Sequence, residues 1–168
     1  MQEAIAKYVI SNDKDIFVKF CKDYKIFVDT CSLMHSDIKD FYFRIRKYLF
    51  KFDSKINVPL KVLEELYKNL RLEDRRERVI DALTFLDTIK SDGLLRIVGD
   101  KSDDNFVDNL FLANFTRMVM KQKVLLITQD KKLATDVLDL NRRQSVRNVN
   151  DISVCRINQN GYLSEFYL

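Results

Sequence analysis

The chain has 168 residues, of which 46% are hydrophobic, and this is enough to build the core of one domain. Its single histidine rules out a metal site with several histidine ligands. Its three cysteines are widely spaced, so neither a zinc knuckle nor a disulfide framework is indicated. With 29 basic and 25 acidic residues, the net charge of +4 permits a polyanionic partner without requiring one. The cysteine usage favours a reduced, cytoplasmic compartment, and we expect neither a signal peptide nor a membrane span.

The N-terminal third of the chain is predicted to contain helices around one strand. Residues 2–23 have a helical pattern that is interrupted near residues 11–13, where a new helix can be capped. The short apolar run 25–28 predicts a buried strand. Residues 37–52 carry apolar side chains at spacings of three and four, which is typical of an amphipathic helix.

The middle of the chain repeats this alternation. Residues 56–58 predict a second strand, and Pro59 suits the first turn of the helix that follows. A further helix is predicted over residues 73–90, ending near Gly93, and residues 94–98 predict a third strand.

The last third of the chain adds a helix–strand–helix unit and a hairpin. Helices are predicted over residues 104–121 and 131–139, on either side of a fourth strand at 124–127. The polar segment 140–150 follows. Asn160-Gly161, flanked by two apolar runs, is a typical type I′ hairpin turn.

Short apolar strands that alternate with helices indicate a three-layer α/β/α sandwich with a mainly parallel sheet, covered on both faces. We expect one domain over residues 1–168. It would consist of a helical extension (1–24), a core (25–158) and a C-terminal hairpin strand (159–168).

One acidic residue follows each of the four predicted strands. Asp29 and Asp130 come at or just after strand ends, while Glu65 and Asp108 lie near the starts of the next helices. Parallel strands bring such residues to one edge of the sheet. Grouped carboxylates repel one another, and a hard divalent cation relieves that repulsion. Such a cation activates water and stabilises phosphate charge, which is the chemistry of a metal-dependent nuclease.

The segments around these acids resemble the motifs of PIN domains, a family of Mg²⁺- or Mn²⁺-dependent ribonucleases with a parallel α/β/α fold. The matching segments are VDTCSL (28–33), PLKVLEEL (59–66), DNLFLA (108–113) and TQD (128–130), and the resemblance runs from about Lys25 to Cys155. It implies that four carboxylates both hold the metal and act in the hydrolysis of RNA phosphodiesters: Asp29, Glu65, Asp108 and Asp130.

Each of these acids also has a structural interpretation. Asp29, Asp108 and Asp130 can act as helix caps or first-turn acids, and Glu64 competes with Glu65. Asp103 and Asp104 lie just upstream of Asp108, with Asp104 as a possible cap one turn before it. Three hydroxyls, and Asp104, are expected to support the site or to cap turns. The hydroxyl residues are Thr30, Ser32 and Thr128. His35 is expected to be a solvated loop residue and Cys31 a small packed one.

Basic residues form three clusters. The first and third are candidates for phosphate contact, whereas the second, within residues 68–78, is interleaved with acids and is expected to be a solvated face. The candidate RNA-binding residues are Lys39, Arg44, Lys47, Arg142 and Arg143. Tyr42 or Phe43, beside the first cluster, is expected to face a base or a partner chain.

The resemblance also bears on partners. Stand-alone bacterial PIN domains include the toxins of toxin–antitoxin pairs, so RNA, a small antitoxin protein and a second copy of the chain are expected partners. The alternative function is a non-catalytic PIN-like scaffold that binds RNA or protein.

Overall fold

The computed structural model describes residues 7–10, 14–99, 107–143 and 150–167. These residues form an α/β fold around one seven-stranded, mainly parallel sheet with the strand order β1-β7-β6-β5-β2-β3-β4. The strands are β1 (Lys7–Ile10), β2 (Tyr24–Val28), β3 (Ile56–Pro59), β4 (Leu95–Val98), β5 (Lys123–Ile127), β6 (Ile152–Ile157) and β7 (Leu163–Tyr167).

Seven helices connect these strands within the described residues. They are α1 (Lys14–Asp23), α2 (Thr30–Leu33), α3 (Ile38–Lys51), α4 (Leu60–Asn69), α5 (Glu73–Ser91), α6 (Val107–Met118) and α7 (Lys131–Arg143). Within these ranges, every helix is too short or too polar to cross a membrane.

The central strands β2, β3, β4, β5 and β6 all run parallel. Val28, the last residue of β2, pairs with Ile127, the last residue of β5. The loops after these two strands therefore begin side by side at the carboxyl edge of the sheet. This register brings two distant parts of the sequence together at one position.

Aromatic contacts join helices to the sheet and to one another. Phe27 of β2 packs edge-on against Phe111 and Phe115 of α6, with ring centroids 6.5 and 5.2 Å apart. Phe17 of α1 stacks on Tyr48 of α3 at 6.0 Å. The arrangement is consistent with a three-layer α/β/α fold, as the sequence pattern predicted.

The prediction of helix over residues 2–23 is wrong for residues 7–10. These residues form β1, which pairs antiparallel with β7, so this part of the N-terminal segment belongs to the sheet. The segment Lys7-Tyr-Val-Ile10 has the β-branched and aromatic composition of a strand, and pairing with a strand some 155 residues later decides its conformation. Helix α1 confirms the second part of that prediction.

Helix α7 continues four residues beyond the predicted end at residue 139.

The C-terminal hairpin is present, but its turn is not the predicted two-residue type. β6 and β7 pair antiparallel, with Ile157 opposite Leu163, so five residues connect them. Asn160 and Gly161 both have positive φ, as expected of an Asn-Gly pair. Gly161 lies so close to α3 that an added Cβ would be 2.3 Å from the backbone nitrogen of Phe41. The longer turn lets the hairpin pack against α3.

Candidate functional site

A cleft of about 760 Å³ opens at the carboxyl edge of the sheet. Three of the four predicted site acids line this cleft: Asp29, Glu65 and Asp130. The first lies between β2 and α2, the second on α4, and the third between β5 and α7. The parallel connectivity thus brings these three acids together, as the sequence predicted.

Asp29 is the most buried acid of the cleft, with 4% of its surface exposed. Its Oδ1 accepts a hydrogen bond from the backbone N–H of Ser32, 2.9 Å away, and its Oδ2 accepts one from the hydroxyl of Thr128. The pKa of Asp29 is raised from its ordinary value of 3.8 to about 6, mainly by burial and to a smaller extent by the nearby charge of Asp130. The donors on Thr128 and Ser32 lower the pKa but do not offset the burial.

Asp29 therefore does cap α2, as the structural interpretation proposed. This role uses only Oδ1. The side chain also lines the cleft, so capping and ligation are compatible at this residue.

Thr128 links two of the acids. Its side chain is fully buried, and its hydroxyl donates to Asp29 while accepting a hydrogen bond of 3.0 Å from the backbone N–H of Asp130. One hydroxyl thus fixes the position of Asp29 relative to the loop that carries Asp130. Ser32 also ties this region together, because its hydroxyl donates to the carbonyl of Ile127 at 3.1 Å.

The structure distinguishes Glu65 from Glu64. Glu65 lines the cleft, and its Oε2 accepts a hydrogen bond of 2.5 Å from the hydroxyl of Thr30. Glu64 instead forms an ion pair of 3.5 Å with Lys61 on the same helix. The two glutamates are successive on α4 and so point about 100° apart. The hydrogen bonds expected of Thr30 and Thr128 to site carboxylates are both present.

Asp130 caps α7. Its Oδ1 accepts hydrogen bonds from the backbone N–H groups of Lys132 and Leu133, at 2.8 and 3.1 Å. These contacts confirm the capping interpretation, and the residue nevertheless lines the cleft. Its charge also contributes to the raised pKa of Asp29.

The fourth acid is only partly described. Asp108 is the second residue of α6, where the motif predicts it, but its side chain lies outside the described part of the structure. Asp103 and Asp104 precede α6 and lie outside the described residues altogether.

The donor chemistry of the cleft suits Mg²⁺ or Mn²⁺, because Asp29, Glu65 and Asp130 offer only oxygen ligands. The buried, incompletely compensated carboxylate of Asp29 is a group whose ionised form a divalent cation would stabilise. Among the described side chains, no three acidic, histidine or cysteine groups lie close enough together to form a metal centre. The three acids therefore line one cleft, but their described side chains do not form a compact set of ligands.

The sequence predicted only one of the basic side chains that line the cleft. Lys39 of α3 was a candidate, whereas Arg75 and Arg78 of α5 belong to the cluster expected to be a solvated face. Arg75 donates to the side chain of Asn69 at 3.1 Å, which holds it near α4. On a helix Glu73 and Glu77 point about 160° away from Arg75, whereas Asp74 lies only about 40° from Arg78, so helical phase alone does not separate these bases from the acids.

The other candidate RNA-binding residues are dispersed. Arg44 donates through Nε to the carbonyl of Asn160 at 2.7 Å and stacks 3.9 Å from the ring centre of Tyr162, so it holds the hairpin turn. Lys47 is exposed on α3. Arg142 lines a separate cavity beside Ile152, at the amino edge of the sheet and far from Asp29. The side chain of Arg143 lies outside the described structure.

Two residues near the first motif also line the cleft, and one of them, Cys31, differs from expectation. His35 lines the cleft and is half-buried, and its Nδ1 accepts a hydrogen bond of 3.1 Å from the backbone N–H of Asp37. Cys31 is exposed and also lines the cleft, so the expectation of a packed cysteine is wrong. It follows Thr30 on the short helix α2, whose buried side chains include Thr30, Ser32 and Leu33, which leaves Cys31 on the outer side.

Two sequence comparisons were made with known proteins. No protein-family model matches the chain. No curated protein is significantly similar to it in sequence. The likeness to PIN domains therefore depends on the four motifs.

Proposed function

We propose that the chain is a PIN-like, Mg²⁺- or Mn²⁺-dependent ribonuclease that hydrolyses RNA phosphodiester bonds in the cleft. The observation that carries the proposal is the meeting of Asp29, Glu65 and Asp130 at one edge of a parallel sheet, each from a segment that resembles a family motif. A lone acid at a strand end is a common cap, whereas three acids from separate motifs that line one cleft support a shared role such as binding a divalent cation.

Asp29, Glu65 and Asp130 would hold the metal, with Asp108 as the fourth residue of the motif set. A divalent ion bound there supplies positive charge opposite the phosphate and makes a water molecule more acidic. Thr128 and Ser32 hold the carboxylate of Asp29, and Thr30 holds that of Glu65. These hydrogen bonds keep the acids oriented before the substrate enters.

The basic side chains of the cleft would bind the substrate. Lys39 lines it from α3, and Arg75 and Arg78 line it from α5. Such side chains can pair with the phosphates on either side of the bond to be cleaved, since Lys and Arg contacts dominate affinity for nucleic acids. Asp81, which also lines the cleft beside Arg78, limits the net positive charge of that wall.

Cleavage of a fluorophore- and quencher-labelled single-stranded RNA with Mn²⁺ tests this proposal. Asp29→Asn should reduce the rate at least about a hundredfold, since it removes a ligand charge from the site. Asp87→Asn, at an exposed acid of α5 that does not line the cleft, is the matched control and should cleave normally. Equal rates for wild type and Asp29→Asn would contradict the proposal.

The toxin function implied by the resemblance is a further part of this proposal. A toxin of this type should arrest growth when expressed, and Asp29→Asn should relieve the arrest. Normal growth with active wild-type protein would favour RNA processing or decay instead.

A further inference from the structure

Helix α3 presents an exposed face that starts at the cleft. Lys39 lines the cleft, and Phe43 and Lys47 follow at successive intervals of four residues, so all three side chains lie along one side of the helix. Phe43 is the most exposed large hydrophobic residue in the described structure, with 84% of its surface accessible. Phe50, which is 50% exposed, continues the same face one turn later. We call Lys39, Phe43, Lys47 and Phe50 the α3 stripe.

The structure also decides between the two aromatic candidates on this helix. Tyr42 is buried, and its hydroxyl donates to Asp92 at the end of α5. Its ring packs edge-on against Phe85. Tyr42 is therefore a structural residue, and Phe43 alone of this pair is available to a ligand.

The charges around the stripe favour an anionic ligand. Lys39 and Lys47 flank Phe43, each about 40° from it around the helix. Arg46 lies beside Phe50, with its guanidinium carbon 5.1 Å from the ring centre, and is paired with Asp92. Asp40 is the acid on the flank of the stripe. Exposed aromatic rings alternating with cations are the combination that binds the bases and the phosphates of a single strand.

We propose that the α3 stripe binds single-stranded RNA and directs it into the cleft, with a base stacked on Phe43 and phosphates at Lys39 and Lys47. That the strand runs into the cleft rests on the proposed function, because it assumes that RNA is cleaved there. Binding of RNA to the stripe can be measured without cleavage. From Lys39 to Phe50 the helix rises about 16 Å, so the stripe has room for a short stretch of strand beyond the cleft. A duplex would not bind in this way, because its bases are stacked on one another.

Fluorescence anisotropy of a labelled single-stranded RNA with the full chain tests the stripe. A chelator is present, so that neither the metal nor cleavage contributes. Phe43→Ala should weaken binding about tenfold, since one stacked base is worth roughly that factor or more. Phe43→Trp should bind at least as well as wild type. Lys47→Gln should reduce the slope of log affinity against log salt by about one.

Tyr67→Ala is the matched control, because Tyr67 is a 57% exposed aromatic residue of α4 that lies outside the stripe. It should bind RNA like wild type. Unchanged melting temperature in all variants would show that the effects are not due to unfolding, as expected for side chains on the surface. A double-stranded RNA of the same sequence should compete weakly.

Two results would overturn the inference. The first is equal RNA affinity of Phe43→Ala and wild type; if light scattering then shows a changed oligomeric state of Phe43→Ala, the stripe belongs to an interface with a second copy of the chain. The second is equal competition by the duplex. Binding that depends on Phe43 in a chain that does not cleave RNA would support the stripe and contradict only the proposed function.

Discussion

Asp29 is the residue on which both the proposed chemistry and the electrostatics of the cleft depend. It is buried, it carries a negative charge at neutral pH, and its pKa is raised to about 6. A raised pKa means that the folded chain holds the proton more tightly than the unfolded chain. Proton binding by Asp29 therefore contributes fully to the free energy of unfolding when the pH is below 3.8, the ordinary pKa that applies to the unfolded chain. This contribution is lost as the pH rises through about 6, the pKa in the folded chain.

Asp29→Asn should therefore stabilise the chain in the absence of divalent cations above pH 6. The shift of about two pKa units corresponds to a gain of about 3 kcal/mol relative to wild type at pH 7.5, while the asparagine can still cap α2. The difference should shrink toward zero near pH 4. Urea denaturation of both proteins at the two pH values measures it, and a pH-independent difference would show that burial of the charge is not its cause.

Thr128 holds Asp29 and the loop of Asp130 with one buried hydroxyl. Thr128→Val keeps the shape but leaves a buried carboxylate oxygen and a backbone N–H without this partner, so we expect a loss of about 2 kcal/mol in the free energy of unfolding. Thr128→Ser retains the hydroxyl and should lose far less. Equal losses in the two variants would point to packing rather than to the hydrogen bonds.

Residue-level interpretation of the sequence was accurate where a local pattern sets the direction of a side chain. The resemblance of PLKVLEEL to the family motif favours Glu65, which directly precedes Leu66, over Glu64, and Glu65 lines the cleft in the structure. Arg75 and Arg78 were not predicted, because the turn between α4 and α5 that brings them to the cleft has no marked signal in the sequence. The partners of Thr128 lie 99 and two residues away, so only the sheet register shows that it joins them.

At the level of elements, the hairpin turn and α3 support each other. Gly161 has φ of +79° and lies against the backbone of Phe41 and Asp40, and Arg44 binds the adjacent carbonyl of Asn160. The start of α3 also supplies Lys39 to the cleft. The hairpin thus fixes the end of the helix that carries the α3 stripe.

Gly161→Ala should be much more destabilising than Gly93→Ala. Both glycines have positive φ, but a Cβ at Gly93 meets nothing within 4 Å, whereas one at Gly161 lies 2.3 Å from a backbone nitrogen. We expect a loss of about 1 kcal/mol at Gly93, from the backbone conformation alone. At Gly161 we expect about 3 kcal/mol or more, because backbone must move. Thermal denaturation compares the two, and similar losses would contradict the close contact with α3.

Element prediction worked for the core strands and failed for β1. Apolar runs identified β2, β3, β4 and β5 nearly to the residue. β2, β3 and β5 are buried parallel strands, which are short and mostly apolar, whereas β4 is a partly exposed edge strand that was found from its apolar residues alone. The four residues of β1 carry too weak a local signal, and their strand conformation comes from pairing with β7. The turn of the hairpin was also predicted wrongly, because Asn160-Gly161 has the expected positive φ values but five residues rather than two connect the strands.

For the whole molecule, the near balance of charges conceals their separation in space. Acids meet at the carboxyl edge of the sheet, bases line the walls of the same cleft, and the α3 stripe leads away from it. The third basic cluster, in contrast, places Arg142 at the amino edge. Substitution of Arg142 by glutamine should therefore leave RNA affinity unchanged, whereas Arg78→Gln should lower it, when both are measured by anisotropy.

The proposed function requires the cleft to hold a divalent cation through its carboxylates. Isothermal titration of the full chain with Mn²⁺ measures this binding, with Asp29→Asn as the variant and Asp87→Asn as the control. We expect binding by wild type and by Asp87→Asn, and a loss of at least about tenfold in affinity for Asp29→Asn. Equal binding by Asp29→Asn would remove this residue from the ligand set, and absence of Mn²⁺ binding by the folded wild-type chain would overturn the proposed function in favour of a non-catalytic scaffold.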